Sequence, residues 1–138
     1  MSKYVHFVIP GIPKGKGRHR TTKSGHTYTP KGTLEYEDRV GWEYRLQVGN
    51  VFFDTAISVE IAAYYPIPKS VTKGTREAMK ENRVLPTKKP DVDNIAKIIL
   101  DSLNYIAYKD DVQVVDCRIR KLYATAGNPR VSVNITEV

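Results

Sequence analysis

The chain has 138 residues, of which 41% are hydrophobic, and this suits a single domain that can bury a core of its own. A single cysteine excludes an internal disulfide and a cysteine-based zinc site, and the apolar stretches are too short to span a bilayer. Because Met1 to Tyr4 lack the apolar core of a signal peptide, we expect residues 1–138 to form one cytoplasmic domain with no membrane partner.

The net charge of +7 is distributed unevenly along the chain. Residues 1–34 contain seven lysines and arginines and no acid, and residues 66–90 contain seven against two glutamates. Residues 91–116 invert this balance, with six aspartates against two lysines. An acidic segment between two basic ones suits a polyanion held over a cation site, and solvated surface charge is the ordinary alternative.

The N-terminal half contains patterns for four elements. They are a strand over residues 4–9, a hairpin over 18–29, a helix from an N-cap at Thr33 to about Val48, and an alternating strand over 56–65. Between the first two lies a glycine-containing segment rich in Lys and Arg, residues 12–20, which we call the basic loop. Its glycines allow close approach of the backbone to a ligand or to another segment.

The C-terminal half begins with residues 66–90, a basic and proline-containing segment that we expect to be a mobile loop with room for a short helix over 75–82. Three further elements are predicted, namely a helix from Asp91 to about Tyr105 and strands over 112–123 and 130–136. The order of elements predicts an α+β fold, in which two main helices pack on one small mixed or antiparallel β-sheet.

Carboxylates and a lysine cluster around the start of the second main helix. Asp91 and Asp93 straddle the helix start, where side chains two residues apart can converge because the first residue is not yet helical. Lys97 lies one turn beyond Asp93 on the same face, and Asp110 and Asp111 precede the next strand. Converging carboxylates of this kind would make an oxygen-rich site for a hard divalent cation.

Each of these features also has an ordinary structural explanation. Asp91 or Asp93 can serve only as a helix N-cap, Asp93 and Lys97 only as an ion pair on one helix face, and Asp110-Asp111 only as a turn. Taken singly, these explanations are favoured over function. Their joint occurrence in a basic chain makes a functional explanation and a purely structural one about equally good.

Three segments give the chain a family resemblance. The stretch Pro90–Lys97, followed by residues 101–104 and 109–114, closely resembles the RusA family of Holliday junction resolvases, which carry a D-x-D-N-x-x-K helix start and a later D-D-x-Q-V. The segments Pro10–Arg18 and Tyr28–Pro30 also look like the opening of that family. The resemblance covers most of the chain and is weak over residues 66–90.

The resemblance implies a small α+β homodimer that binds four-way DNA junctions and nicks two strands symmetrically, using Mg²⁺ or Mn²⁺. By position in the motif, Asp91, Asp93 and Asp111 are implied to be the essential metal-binding acids. Lys97 is implied to be the catalytic lysine, and Asp110 a fourth acid near the metal. The sequence leaves open whether one or two ions are used and which surface forms the dimer.

Basic side chains in two segments are the candidates for binding DNA phosphates. They are Lys14, Lys16, Arg18 and Arg20 in the basic loop, and Lys69, Lys73, Lys88 and Lys89 in residues 66–90. Two other functions remain open. One is a broader metal-dependent nuclease that acts on flaps or forks, and the other is a non-enzymatic nucleic-acid-binding module.

Overall fold

A computed structural model describes residues 3–138 and confirms the α+β class. In chain order the elements are β1 (Tyr4–Pro10), β2 (Arg20–Thr21), β3 (Thr27–Tyr28), α1 (Lys31–Gln47), β4 (Ile57–Tyr65), α2 (Lys73–Lys80), α3 (Val92–Ser102), a 3₁₀ helix (Asp111–Gln113), β5 (Val114–Tyr123) and β6 (Arg130–Glu137). The short strands β2 and β3 form the predicted hairpin. Within the described residues, no helix is both long and apolar enough to cross a membrane.

The main sheet is mixed and has the strand order β1-β6-β4-β5. Strand β6 pairs antiparallel with both β1 and β4, whereas β4 and β5 run parallel. A parallel pair needs a long crossover connection, and here the crossover carries α2 and α3. The starts of β4 and β5 therefore lie side by side, and the segment that leads into β5 comes close to the segment that precedes β4.

The core lies on one face of the sheet, under α1 and α3. Alternate residues of β4 are buried from Ile57 to Tyr65, as expected for a strand with one covered face. The predicted apolar stripe of α3 is buried completely and consists of Ile95, Ile98, Ile99 and Leu103. Because this stripe faces the sheet, the opposite side of α3 is free to carry polar side chains.

The predicted starts of α1 and β5 are corrected by the structure. Helix α1 begins at Lys31 rather than after Thr33, and Pro30 is its N-cap residue, with no side-chain capping hydrogen bond. Thr33 instead lies buried in the first turn, where its Oγ1 accepts a hydrogen bond of 3.1 Å from the amide of Gly17 in the basic loop. Strand β5 begins at Val114, two residues late, because the preceding residues form the 3₁₀ helix.

Residues 66–90 contain the predicted short helix, which is α2. Thr72 is its N-cap, and its hydroxyl accepts a hydrogen bond of 3.2 Å from the amide of Thr75. Helix α2 begins two residues before the predicted start because this threonine, rather than a later residue, supplies the cap. The segment is therefore partly helical rather than one continuous loop.

Candidate active site

Asp91 and Asp93 stand at the start of α3, as the sequence predicted. Asp91 is the N-cap residue in an extended conformation, yet its carboxylate makes no capping hydrogen bond. Burial, and after it the charge of Asp91, raises the pKa of Tyr65 to about 12, which places Asp91 near that hydroxyl. The Tyr65 hydroxyl donates a hydrogen bond of 2.7 Å to the carbonyl of Pro90. Asp91 and Asp93 are both exposed, so their carboxylates are accessible to a ligand in solution.

One face of α3 carries three charged residues at intervals of four. Asp93, Lys97 and Asp101 share this face because four residues make slightly more than one helical turn. Each interval advances about 6 Å along the helix axis, so Asp101 lies roughly 12 Å from Asp93. Asp101 was not among the predicted site residues, although its spacing of four from Lys97 was the available signal.

Asp110 and Gln113 cap each other across the 3₁₀ helix. Asp110 Oδ1 accepts a hydrogen bond of 3.0 Å from the amide of Val112, and Gln113 Oε1 accepts one of 3.1 Å from the amide of Asp110. Gln113 Nε2 also donates to the carbonyls of Phe53 and Thr55, at 3.0 Å each. Asp110 therefore has a structural role, and Gln113 ties the loop that carries the acids to the segment before β4.

Asp111 lies beside two other carboxyl groups, those of Asp101 and Asp110. Burial, followed by side-chain hydrogen bonds with Asp101 and Asp110, raises the pKa of Asp111 to about 6. The buried Tyr108 lies close to the same carboxylates, and burial together with their charges raises the pKa of its hydroxyl. That hydroxyl donates a hydrogen bond of 2.7 Å to the carbonyl of Leu100. We call Asp101, Asp110 and Asp111 the acidic group.

The donor chemistry of these residues suits Mg²⁺, since their exposed ligand atoms are carboxylate oxygens. Between Lys3 and Val138, no three His, Cys, Asp or Glu side chains are arranged so that they could enclose one ion. Mg²⁺ usually keeps several waters and needs only one or two protein carboxylates, so an open arrangement is compatible with it. That Asp91, Asp93 and Asp111 bind one or two cations stays a prediction.

The basic loop is docked against the start of α3. The amide of Lys16 donates a hydrogen bond of 3.1 Å to the carbonyl of Asn94. A Cβ atom on Gly15 would lie 2.8 Å from Pro90 Cβ and 3.1 Å from Asn94 Cβ, which is too close for any residue larger than glycine without movement. Glycine at this position therefore allows the loop to lie directly against the residues that carry the acids.

A cleft of about 600 Å³ lies where the basic loop meets the start of α3. The residues that line this cleft are Pro13, Lys14, Gly15, Lys16, Arg18, Lys89, Pro90, Asp91 and Asn94. A neighbouring cleft of about 450 Å³ continues along α3 and is lined by Lys97 and Asp101 together with basic-loop residues. Four of the predicted DNA-binding residues thus line the same cleft as the predicted metal ligand Asp91.

Lys16 differs from the other basic residues of this region because its ammonium is directed at protein carboxylates. Its Nζ lies 2.7 Å from Glu37 Oε2 and 3.2 Å from Asp101 Oδ2. Burial lowers the pKa of Lys16, but the hydrogen bonds and charges of Glu37 and Asp101 outweigh burial and the net pKa is raised. The remaining predicted DNA-binding side chains are exposed, and they are Lys14, Arg18, Arg20, Lys69, Lys73, Lys88 and Lys89.

Comparison with known proteins covers nearly the whole chain. The family model described as Endodeoxyribonuclease RusA matches residues 10–136. The chain is also 34% identical, over 139 aligned positions, to the uncharacterized protein YqaN of Bacillus subtilis (strain 168). That alignment covers 97% of this chain and 96% of the relative. The matched region includes α3, the acidic group and the whole basic loop.

Proposed function

The chain belongs to the RusA endodeoxyribonuclease family, and on this premise we propose that it is a Mg²⁺-dependent endonuclease that resolves four-way DNA junctions. The observation that carries the proposal is the cleft in which Asp91 faces Lys14, Arg18 and Lys89. Carboxylates alone repel a phosphate backbone, whereas basic walls attract it. A cleft with both kinds of wall suits a phosphodiester held against a carboxylate-bound cation.

The proposed ligands of one or two cations are Asp91, Asp93 and Asp111, with Asp110 as a fourth acid nearby. Mg²⁺ is the expected ion and Mn²⁺ a substitute, because both prefer oxygen donors. When bound, such an ion polarises a phosphoryl oxygen and lowers the pKa of its water. Burial, followed by the hydrogen bonds and charges of Asp101 and Asp110, raises the pKa of Asp111, and a bound cation would favour its ionised form.

The basic side chains have two proposed roles. Lys97 is exposed on α3 one turn beyond Asp93, where its ammonium can stabilise negative charge that develops on the phosphoryl group. Lys14, Arg18 and Lys89 bind backbone phosphates within the cleft. Further phosphate contacts come from exposed residues outside it, namely Arg20, Lys69, Lys73 and Lys88. Such contacts give affinity that depends steeply on salt and carries no base information.

Symmetric nicking requires two active sites at a fixed separation, so the proposed unit of function is a twofold homodimer. The inward-facing apolar side chains of β4 and the apolar stripe of α3 are buried in the core of a single chain, so they are not available for the interface. The four-stranded sheet has two edge strands, β1 and β5, and Val115 on β5 is 62% exposed. We propose the free edge of β5 as the interface.

The proposal is tested by comparing the cleavage of a four-way junction, a fork and a linear duplex in the presence of Mg²⁺. Paired nicks at symmetric positions in the junction alone are expected. Equal cutting of all three substrates would instead assign a nuclease of broader specificity. Binding of the junction without cleavage by the wild-type protein would assign a non-enzymatic nucleic-acid-binding module.

A further inference from the structure

The side chain of Lys16 joins three segments that are distant in the sequence. Lys16 belongs to the basic loop, Glu37 to α1 and Asp101 to α3. The three side chains are only 17%, 19% and 28% exposed, so the ion pairs are partly shielded from water. Partly buried charges interact more strongly than exposed ones and are screened less by salt. The ammonium of Lys16 therefore stabilises the contact between the loop and the two helices.

Asp101 connects this ion-pair cluster to the acidic group. Its carboxyl lies beside that of Asp111 and 3.2 Å from Lys16 Nζ. In the part of the chain that the structure describes, Lys16 is the one cation within salt-bridge distance of Asp101. Lys97 lies one turn earlier on the same face of α3 and is outside that distance. Without Lys16, the repulsion between the Asp101 and Asp111 carboxyl groups would no longer be offset by the one cation in direct contact with Asp101.

We propose that Lys16 is a positioning residue of the active site, whose ammonium holds Asp101 beside Asp111 and fixes the basic loop on α3, and that it does not contact DNA phosphates. The backbone supports this, because the Lys16 amide is already bonded to Asn94 and the side chain is directed inward. Two of the three ammonium donors of Lys16 are directed at carboxylates, and the negative charge of those carboxylates opposes the approach of a phosphate. The catalytic part of this inference rests on the proposed function, whereas the structural part does not.

A double-mutant cycle tests the structural part without DNA. The free energy of unfolding is measured for the wild type, Lys16→Met, Asp101→Asn and the double variant. If the ammonium and the carboxylate stabilise each other, the double variant is destabilised less than the sum of the single variants. If the loss of unfolding free energy in the double variant equals the sum of the losses in the two single variants within error, the inference is overturned.

The salt dependence of junction binding without Mg²⁺ separates a positioning lysine from a phosphate contact. Each phosphate contact contributes about 0.9 to the slope of log affinity against log salt concentration. Lys14→Met is the matched comparison from the same loop, and we expect it to lower the slope by about this amount. Lys16→Met is expected to leave the slope unchanged. A slope lowered as much as in Lys14→Met would contradict a positioning role.

Cleavage supplies the remaining readout. We expect Lys16→Met to lower the rate at saturating Mg²⁺ at least tenfold, and Lys16→Arg to restore most of it, because arginine keeps the charge. A second variant is Glu37→Gln, which removes the ion pair with α1 and keeps the charge of Lys16. It should lower the cleavage rate and leave the salt slope of junction binding unchanged. Wild-type rates in Lys16→Met and Glu37→Gln would overturn the positioning role.

A wild-type protein without cleavage would defeat the proposed function, while the double-mutant cycle and the salt slope would still decide whether Lys16 has a positioning role.

Discussion

Asp101 and Asp111 meet side by side although one belongs to α3 and the other to the 3₁₀ helix before β5. The chain reverses direction between them through a turn in which Tyr105 has a φ of 66°. This left-handed conformation is uncommon outside glycine, and here it brings the end of the helix and the start of the next strand together. Burial, and after it the neighbouring carboxyl groups of Asp101 and Asp110, raises the pKa of Asp111.

The metal-free protein should lose stability as the pH rises from about 4 to about 6. The folded state binds the Asp111 proton more tightly than the unfolded state, because its pKa is raised from 3.8 to about 6. Stability therefore falls through this window and stays lower above it. Asp111→Asn should flatten the pH profile and stabilise the protein at pH 7 by about 1 kcal/mol after allowance for solvent screening. Urea unfolding in EDTA measures this, with Glu60→Gln as an exposed control. An unchanged profile in Asp111→Asn would contradict the prediction.

Asp101→Asn should impair cleavage while leaving junction binding intact. Asp101 contacts both Lys16 and Asp111, so its loss disturbs the acidic group directly. Removal of a group that orients metal ligands costs about 10- to 100-fold in activity or metal affinity. Cleavage rates at several Mg²⁺ concentrations measure the effect. Asp54→Asn, an exposed acid outside the acidic group, is the control and should cut at the wild-type rate. Equal rates in the two variants would argue against a role of Asp101.

Gln113→Ala should lower both stability and cleavage. The Gln113 amide bonds to the backbone just before the 3₁₀ helix and to the segment before β4, and its loss should cost about 2 kcal/mol. The matched control is Gln47→Ala, because Gln47 also binds backbone through its amide, at Val8, away from the acids. Both variants should melt earlier, but only Gln113→Ala should cut more slowly at a temperature where both are folded. Equal cleavage rates in the two variants would mean that Gln113 does not position Asp111.

Gly15→Ala should displace the basic loop from α3. The added Cβ would meet Pro90 and Asn94 at distances that side chains do not tolerate without movement. We therefore expect weaker junction binding and slower cleavage, measured by titration and by single-turnover kinetics. Gly74→Ala in α2 is the matched control, since its Cβ would meet nothing within 4 Å and alanine favours a helix by about 1 kcal/mol. Wild-type binding by Gly15→Ala would show that the docked loop is not needed.

The sequence predicted those parts of the fold that depend on local periodicity. The buried stripe of α3 and the alternation in β4 follow from side-chain patterns that repeat within each element. The predicted start of α1 was wrong. Thr33 has the chemistry of an N-cap, but its hydroxyl bonds to the basic loop. The predicted start of β5 was wrong because Asp110 and Gln113 form a capping box around a 3₁₀ helix there.

The candidate site could be predicted only in part for the same physical reason. Asp91, Asp93 and Asp111 were identified because short motifs carry them. The ion pair between Lys16 and Glu37 joins a loop to a helix, and no periodicity relates the two positions. A spacing of three between Asp110 and Gln113 does indicate a capping box, and it was the readable signal for the structural role of Asp110.

The proposed role of Asp111 is in cutting the junction rather than in binding it. The decisive measurement is cleavage of an end-labelled four-way junction by wild type and Asp111→Asn, each with Mg²⁺ and with EDTA, alongside junction affinity. We predict paired symmetric nicks by the wild type with Mg²⁺ only, and by Asp111→Asn a retained affinity with no cleavage. Cleavage by Asp111→Asn at the wild-type rate, or none by the wild type with Mg²⁺, would contradict it.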